Sequence, residues 1–544
     1  MSKTGPDRVD RYAVSMVVEG SRAVAWLANC WRDLADALRV RVVRRGLYGT
    51  LLIAIGALSP AYLPRSSPWW TWLSARRAEG LPSKLIGTAA TMAGLLLIMS
   101  AWYRLRPGAR GGAPGDATGP AAYLTLKHWA VLAWWSLPFL AAPPIFSHDA
   151  YSYAAQGWLV HNGISPYYSG PGVLPGGFAD QVAWVWRDTP SPYGPLAMQI
   201  SHLLLHVCGF DPYWSAVAQR VPALLGVVLI GIFLPRLARR VGCDPAFTAW
   251  FGVLNPLLII DFVGGAHNDS LMMGLVVFGL WLATIPGGRR YSSRSWAAGG
   301  WWWLAGAAII GVGATIKQPA FLAAYVVPML ARRWGSLKVG ETAITVTRVL
   351  TSFAVSIAVF AGISIATGLD FGWYNAVSVP GSVGSPAPAS IVGNGVQWVM
   401  NLFGADPTAK LGISITQTVF LAVGAVVLAL GAVTIARKRP ATFISWGYLV
   451  VAIASPALHS WYMLWGGLTL PLAQPRRRLV AVAIWVNLAL LCYDAVDMAW
   501  RNDGVAIGVA AVAASVFMTW IHQASVRVTR HPGHATHLEL PATS

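Results

Sequence analysis

Apolar residues run along this chain in long blocks, and basic residues punctuate the blocks. A helix needs about 20 largely apolar residues to cross a bilayer, and blocks approaching that length recur from Leu51 almost to the C-terminus. The pattern predicts spans near 47–62, 85–102, 129–145, 216–234, 247–262, 271–285, 301–315 and 321–330. Further spans are predicted near 346–366, 413–436, 443–454, 461–472, 479–493 and 506–521. That is about 14 crossings. Cytoplasmic loops carry an excess of Lys and Arg. With both termini inside, Arg44/Arg45, Arg104/Arg106, Arg239/Arg240, Arg289/Arg290, Arg332/Arg333, Lys438/Arg439 and Arg477/Arg478 all share the inner side. The first outer loop, with Arg65, Arg76, Arg77 and Lys84, departs from that rule.

Between Ala150 and Gly209 the pattern changes. Tyr151, Tyr153, Trp158, Tyr167, Tyr168, Trp184, Trp186 and Tyr193 crowd one polar, Gly/Pro-rich stretch. Such amphipathic aromatics favour the membrane interface, so short helices lying along the outer surface are expected there. The segment 196–207 is apolar but short, interrupted by His202 and His206, and reads as a half-embedded helix. Counting it as a full span would invert every later basic cluster. The loop from His161 to Tyr168 reads as a turn with an aromatic platform.

Composition narrows the class. Of the 544 residues, 56% are hydrophobic and only 11% charged, against roughly 25% charged in soluble proteins. That is too little charge to cover several soluble domains. The expected organisation is a cytoplasmic segment 1–45, a membrane domain 46–522 and a cytoplasmic tail 523–544. The membrane domain is expected to carry an outer interfacial catalytic segment at 146–210 and an outer loop at 370–410. The net charge of +19 sits in clusters between apolar blocks, which fits anionic headgroups rather than nucleic acid. The mixed stretch before Arg45 does not read as a cleavable signal. Cys30, Cys208, Cys243 and Cys492 have neither metal-ligand spacing nor a disulfide framework.

The same parity sorts the polar groups. His148, Asp149, Arg187, Asp188, His267, Asn268, Asp269, Lys317, His459 and Asp494 all reach the outer side, as if converging on one polar chamber. Ionisable groups at membrane depth are costly and face a cavity or a partner. Asp149 ends an apolar run and opens the aromatic segment, where a carboxylate can take a proton from an alcohol with water partly excluded; it also fits a helix cap. Arg187 can grip a phosphate with its planar fork or pair with Asp188. His267 and Asp269, after Gly264-Gly265, can hold a sugar hydroxyl or a cation, or simply cap the next span. Lys317 either snorkels or meets an anion, and His459 beside Trp461 and Tyr462 can serve a phosphate, a sugar or packing. No nucleotide-binding loop is visible, so a sugar donor used on the outer side would be lipid-linked.

Five stretches carry a resemblance: Pro144 to Tyr153, Ser191-Pro192-Tyr193-Gly194-Pro195, Asn255-Pro256-Leu257, Gly264 to Asp269, and His459-Ser460-Trp461-Tyr462. Over about 51–493 the chain resembles the actinobacterial polyprenol-phosphate-mannose-dependent α-1,6-mannosyltransferases of the C superfamily (GT-C). Where that family has a basic residue before the catalytic Asp this chain has His148, and where it often has Glu this chain has Asp269. The resemblance implies an all-α, multi-pass GT-C fold in the plasma membrane with an outward-facing active site. It implies inverting transfer from polyprenyl-phosphate-mannose to a lipid-linked mannan, the backbone of lipomannan and lipoarabinomannan. Carried over, Asp149 is the general base, and Arg187, Lys317 and His459 bind the donor phosphate. Tyr151, Tyr153, Tyr193, His267, Asn268, Asp269, Trp461 and Tyr462 line the sugar and acceptor site. The superfamily leaves open a divalent cation, Mg or Mn, with His267 and Asp269 as candidate ligands. The alternatives are a pentosyl (arabinosyl) transferase on the same lipid, or a transporter or flippase of lipid-linked sugars.

Overall fold

The computed structural model describes residues 25–530 except 60, 66, 76–79, 108–125, 287–299, 335, 377–384, 405 and 502. The basic cluster at Arg289 and Arg290, together with Arg76 and Arg77, lies outside the described residues. The described regular structure is all-α.

The longer helices are α1 (Arg41–Gly56), α2 (Leu81–Arg104), α3 (Asp149–His161), α4 (Pro195–Val207), α5 (Arg220–Arg240), α6 (Asp269–Leu282) and α7 (Trp302–Ala314). They continue as α8 (Phe321–Ala331), α9 (Val339–Ala366), α10 (Pro388–Leu402), α11 (Asp406–Thr434), α12 (Pro440–Ala454), α13 (Arg477–Trp500) and α14 (Asp503–Arg530). Short helices at Pro212–Ala218 and Pro245–Thr248 start by local chemistry: the Asp211 side chain accepts from Trp214 N and that of Asp244 from Ala246 N, each ahead of a proline at the first helical position, where the missing N–H has no helical partner to lose.

Five helices are long and apolar enough to cross a bilayer: Leu81–Arg104, Pro212–Arg240, Val339–Ala366, Leu411–Thr434 and Arg477–Trp500. The Leu411–Thr434 helix buries only 6% of its apolar window within the protein, and Val419, Val423, Val426 and Leu430 stand exposed along it. Such an apolar surface suits lipid rather than water. The chain is thus a multi-pass, all-α protein, with fewer long spans among its described residues than the hydropathy blocks predict.

The difference has identifiable causes. The block 247–262 forms two segments bent by 53°, Pro245–Val253 and Leu258–Gly264. The break falls at Asn255-Pro256, where proline removes a donor and the Asn255 side chain accepts from Leu257 N instead. The block 129–145 is a helix only over His128–Ser136; Pro138, Pro143 and Pro144 stop it. The block 461–472 is not one helix but three short pieces, Ser460–Tyr462, Met463–Gly467 and Leu470–Ala473. Gly466, Gly467 and Pro471 deny it helical continuity. The segment 271–285, and those of α7, α8 and α12, form helices of 10–17 residues. Residues 370–410, expected as a loop, contain α10 and the start of α11. The short helix read at 196–207 is α4.

Candidate active site

Four connections deliver the site. The first is the start of α3. Phe146 adopts a left-handed φ of 63°, the Ser147 hydroxyl accepts from Asp149 N at 3.0 Å, and Ile145 N donates to Gly264 O at 3.2 Å. This ties the chain before Asp149 to the end of the bent segment. The second is that end itself. Its last turns are π-helical, a local under-winding that recurs at functional sites. The buried Arg220 guanidinium donates to Val263 O and Gly264 O at 3.0 Å each, which secures carbonyls that lack helical partners. His267 and Asp269 follow.

The third is the Ser191–Pro195 turn, docked on the backbone after α7. Gly194 N donates to Ile316 O and Leu196 N to Thr315 O, both at 3.1 Å. A Cβ on Gly194 would lie 2.2 Å from Thr315 O, so only glycine permits this approach. Tyr193 and Lys317 are thereby brought face to face, with Lys317 Nζ 5.4 Å from the Tyr193 ring. The fourth is the broken segment after His459. The Ser460 hydroxyl donates to the buried Asp261 at 2.8 Å, holding the ladder of His459, Trp461, Tyr462 and Trp465 against the bent helix.

Within this frame Asp149 Oδ2 lies 3.5 Å from His267 Nδ1. Tyr153 OH and Tyr193 OH donate to the same oxygen at 3.4 and 3.5 Å. Asp149 and Tyr153 are four residues apart and share a helix face. Alongside, Lys317 Nζ donates to both Asp269 oxygens at 3.0 and 2.9 Å, and Trp465 Nε1 donates to Asp269 Oδ1 at 2.7 Å. Aromatic rings wall the pocket. His267 and His459 both stack on Trp461, at 3.7 and 4.5 Å between centroids. Lys317 Nζ lies 4.6 Å from the Tyr462 ring centre, a cation–π contact.

The electrostatics follow from burial and pairing. Burial raises the Asp149 pKa, but the hydrogen bond and charge of His267, with His459 and Lys317 behind them, outweigh it and hold the carboxyl below its usual range. Burial would lower the Lys317 pKa; Asp269 first, then Tyr462, more than offset this and keep the ammonium charged. His459 is pushed down to about 4, chiefly by burial, so its ring is neutral near pH 7.

Of the residues expected at the site, the structure brings together Asp149, Tyr153, Tyr193, His267, Asp269, Lys317, His459, Trp461 and Tyr462. Asn268 lines a narrow crevice beside Tyr153 and Gln219, and its amide nitrogen and oxygen are buried without hydrogen-bond partners among the described residues. Two residues lie elsewhere. Tyr151 is two positions from Tyr153 and therefore on another helix face; it packs in a separate cluster with Tyr213 and Leu205. Arg187 is half-exposed and pairs with Asp180 at 3.4 Å. Asp261 and Trp465 were missed by the sequence reading. Asp261 carried a signal, a lone carboxylate inside an apolar block; Trp465 carried none beyond its closeness to Trp461.

A hard dication such as Mg²⁺ or Mn²⁺ wants several oxygen ligands. Both oxygens of Asp269 are engaged by Lys317, leaving Asp149 as the carboxylate open to the pocket beside His267. The grouping among the described residues able to hold a divalent cation is a different one, His161, His202 and His206.

Comparison with known proteins gives one family and several relatives. Residues 43–333 match the family described as alpha-(1->6)-mannopyranosyltransferase, N-terminal domain. A probable alpha-(1->6)-mannopyranosyltransferase of Mycolicibacterium smegmatis is 32% identical over 81% of this chain and 80% of its own length. The alpha-(1->6)-mannopyranosyltransferase A of Mycobacterium tuberculosis is 30% identical over 81% and 82%. That of Corynebacterium glutamicum is 29% identical over 69% and 77%. No solved structure matches the chain.

Proposed function

The chain belongs to the alpha-(1->6)-mannopyranosyltransferase family, and from that premise we propose that it transfers mannose from polyprenyl-phosphate-mannose to the 6-hydroxyl of a lipid-linked mannan, with inversion. The observation that carries this reading is the pairing, in one buried pocket, of an ionised Asp149 flanked by His267 and two tyrosines with a charged Lys317 held by Asp269. One side of the pocket accepts a proton and the other meets an anion.

The acceptor O6 attacks the anomeric carbon as the bond from that carbon to the phosphate oxygen breaks. The bonding electrons leave with polyprenyl phosphate, and the O6 proton passes to Asp149. A carboxyl held below its usual range is a weak base. It suffices here, because the hydroxyl becomes strongly acidic once its oxygen bonds to carbon, so the proton can leave late. His267 and the tyrosines fix the oxygen that receives it. Two Lys317 protons go to Asp269; an ammonium has three, and the third, on a nitrogen 4.6 Å from the Tyr462 ring centre, turns to the departing phosphate, where charge grows in the transition state. Arg187, half-exposed and paired with Asp180, suits a headgroup outside the reacting centre. Asn268, with unpaired amide atoms, suits sugar hydroxyls.

We place the pocket on the outer face of the plasma membrane, within a GT-C-type arrangement. The five long helices, the bent pair and the five apolar helices of 10–17 residues give 11 candidate crossings among the described residues, and α1 with the short pieces at 128–136 and 460–473 brings the number to the 14 that the hydropathy blocks predict. The test is transfer by purified protein from defined polyprenyl-phosphate-mannose to short α-1,6-mannosides, with linkage analysis of the product. Asp149→Asn should lower turnover about 10²–10⁴-fold while donor binding is largely kept. Wild-type turnover in D149N would remove Asp149 from the role of base. Transfer of a pentose in preference to mannose would favour the arabinosyl alternative.

A further inference from the structure

Three histidines meet outside the catalytic pocket. His161 is the last residue of α3, and His202 and His206 lie four residues apart on one face of α4. Their ligand atoms all fall within 4.8 Å of one another. His202 Nε2 and His206 Nε2 are 3.2 Å apart. Two nitrogens bound tetrahedrally to zinc at their usual bond length stand about 3.3 Å apart, so this pair already spans one edge of a coordination tetrahedron.

The surroundings prepare the site. The Gln199 amide donates to Thr367 O at 3.1 Å, and its oxygen faces His202 Nδ1 at 3.4 Å. That contact assigns the proton to Nδ1 and turns the Nε2 lone pair toward His206, the arrangement by which outer partners orient metal-bound histidines. Trp158 stacks on His161 at 5.2 Å. Phe210, held at a left-handed φ of 61°, lies 4.6 Å from the His161 ring and 4.9 Å from the His206 ring. The two form an apolar collar on the cluster.

We propose that His161, His202 and His206 bind one divalent ion of the zinc class, with water in the fourth position. All-imidazole ligation selects such borderline metals over Mg²⁺ and Mn²⁺. The ion ties the C-terminal end of α3 to α4. Asp149 lies at the other end of α3, and α4 begins at the turn that carries Tyr193. The metal is therefore a structural clamp on the two helices that frame the pocket, and its existence does not depend on which sugar is transferred.

The test uses full-length protein purified through a tag without histidine, stripped with chelator and titrated with Zn²⁺ against a chromophoric competitor. About one equivalent should bind, and zinc should raise the melting temperature. Gln199→Leu, which leaves the three ligands in place, should weaken binding about 10–100-fold. His202→Ala/His206→Ala should abolish both binding and the thermal shift. Should that double variant not fold, a tetrahedral Co²⁺ spectrum of the wild type, altered in Q199L, carries the test. Absence of stoichiometric Zn²⁺ in the wild type overturns the proposal. So does binding lost in His267→Ala but kept in the double variant, which would move the ion to the catalytic pocket.

Discussion

Lys317 and Asp269 form a buried ion pair, with 9% and 0% of their side chains exposed. Each charge is tolerable only beside the other, and removing one partner of such a pair costs about 3–5 kcal/mol because the survivor is stranded. Lys317→Met and Asp269→Leu should each lower the melting temperature sharply, and the double variant should recover part of the loss while remaining inactive. Single variants as stable as wild type would mean that water reaches the pair. His459 gives a pH dependence. Its folded pKa of about 4 lies below the unfolded value near 6.5. Between those values the unfolded chain binds the proton and the folded chain does not, so stability falls as pH drops through that window. The slope is at most about 1.4 kcal/mol per pH unit for one proton. Melting curves from pH 7 to about pH 4 should be shallower in pH for His459→Gln; an unchanged slope would assign the titration to another group.

Among the elements, the crossing of α5 and α6 sets where Asp269 stands. A Cβ on Gly226 would lie 2.2 Å from the Ser270 backbone, one residue beyond Asp269. The helices therefore touch through backbone, as small residues allow in membrane packing. Gly226→Ala should push α6 away, destabilise by about 1–3 kcal/mol and lower turnover by loosening the Lys317 pair. Gly231 lies on the same helix, and a Cβ there would approach nothing closer than 3.7 Å. Gly231→Ala should be neutral or stabilising by up to about 1 kcal/mol. Equal effects of the two would show that the crossing does not position the carboxylate. At this scale the sequence was most legible where hydropathy was continuous, as in α2, α9 and α13, and least so where proline or paired glycines cut an apolar block, as after Trp461.

For the whole molecule the decisive quantity is sidedness. In the topology proposed above, Arg240 lies inside and the α3 segment outside. Asn162 and Arg240 are both exposed. In a background with Cys30, Cys208, Cys243 and Cys492 replaced, a cysteine at 162 should react with an impermeant maleimide on intact cells. A cysteine at 240 should react only after permeabilisation. Labelling at 162 only after permeabilisation would remove the outward active site, and labelling of both on intact cells would overturn the sidedness read from the basic clusters.

The sequence by itself determined what neighbours along the chain can determine. Runs of apolar residues became helices, and the break at Asn255-Pro256 followed from proline chemistry. Asp149 and Tyr153 share a face because a helix repeats every 3.6 residues. The parity of the basic clusters grouped Asp149, His267, Lys317 and His459 as candidates for one chamber, and the structure brings these side chains into one cluster. Only the tertiary structure decided what those residues do to one another. Lys317 meets Asp269 across 48 positions and Trp465 meets it across 196, and no local period encodes such distances. The same packing turned Tyr151 away, left Arg187 at the surface with Asp180, and gathered His161 to His202 and His206. Hydropathy reports how much surface a segment must hide; which partner hides it depends on the close approach of backbones at positions such as Gly194 and Gly226, and that exists only once the helices are assembled.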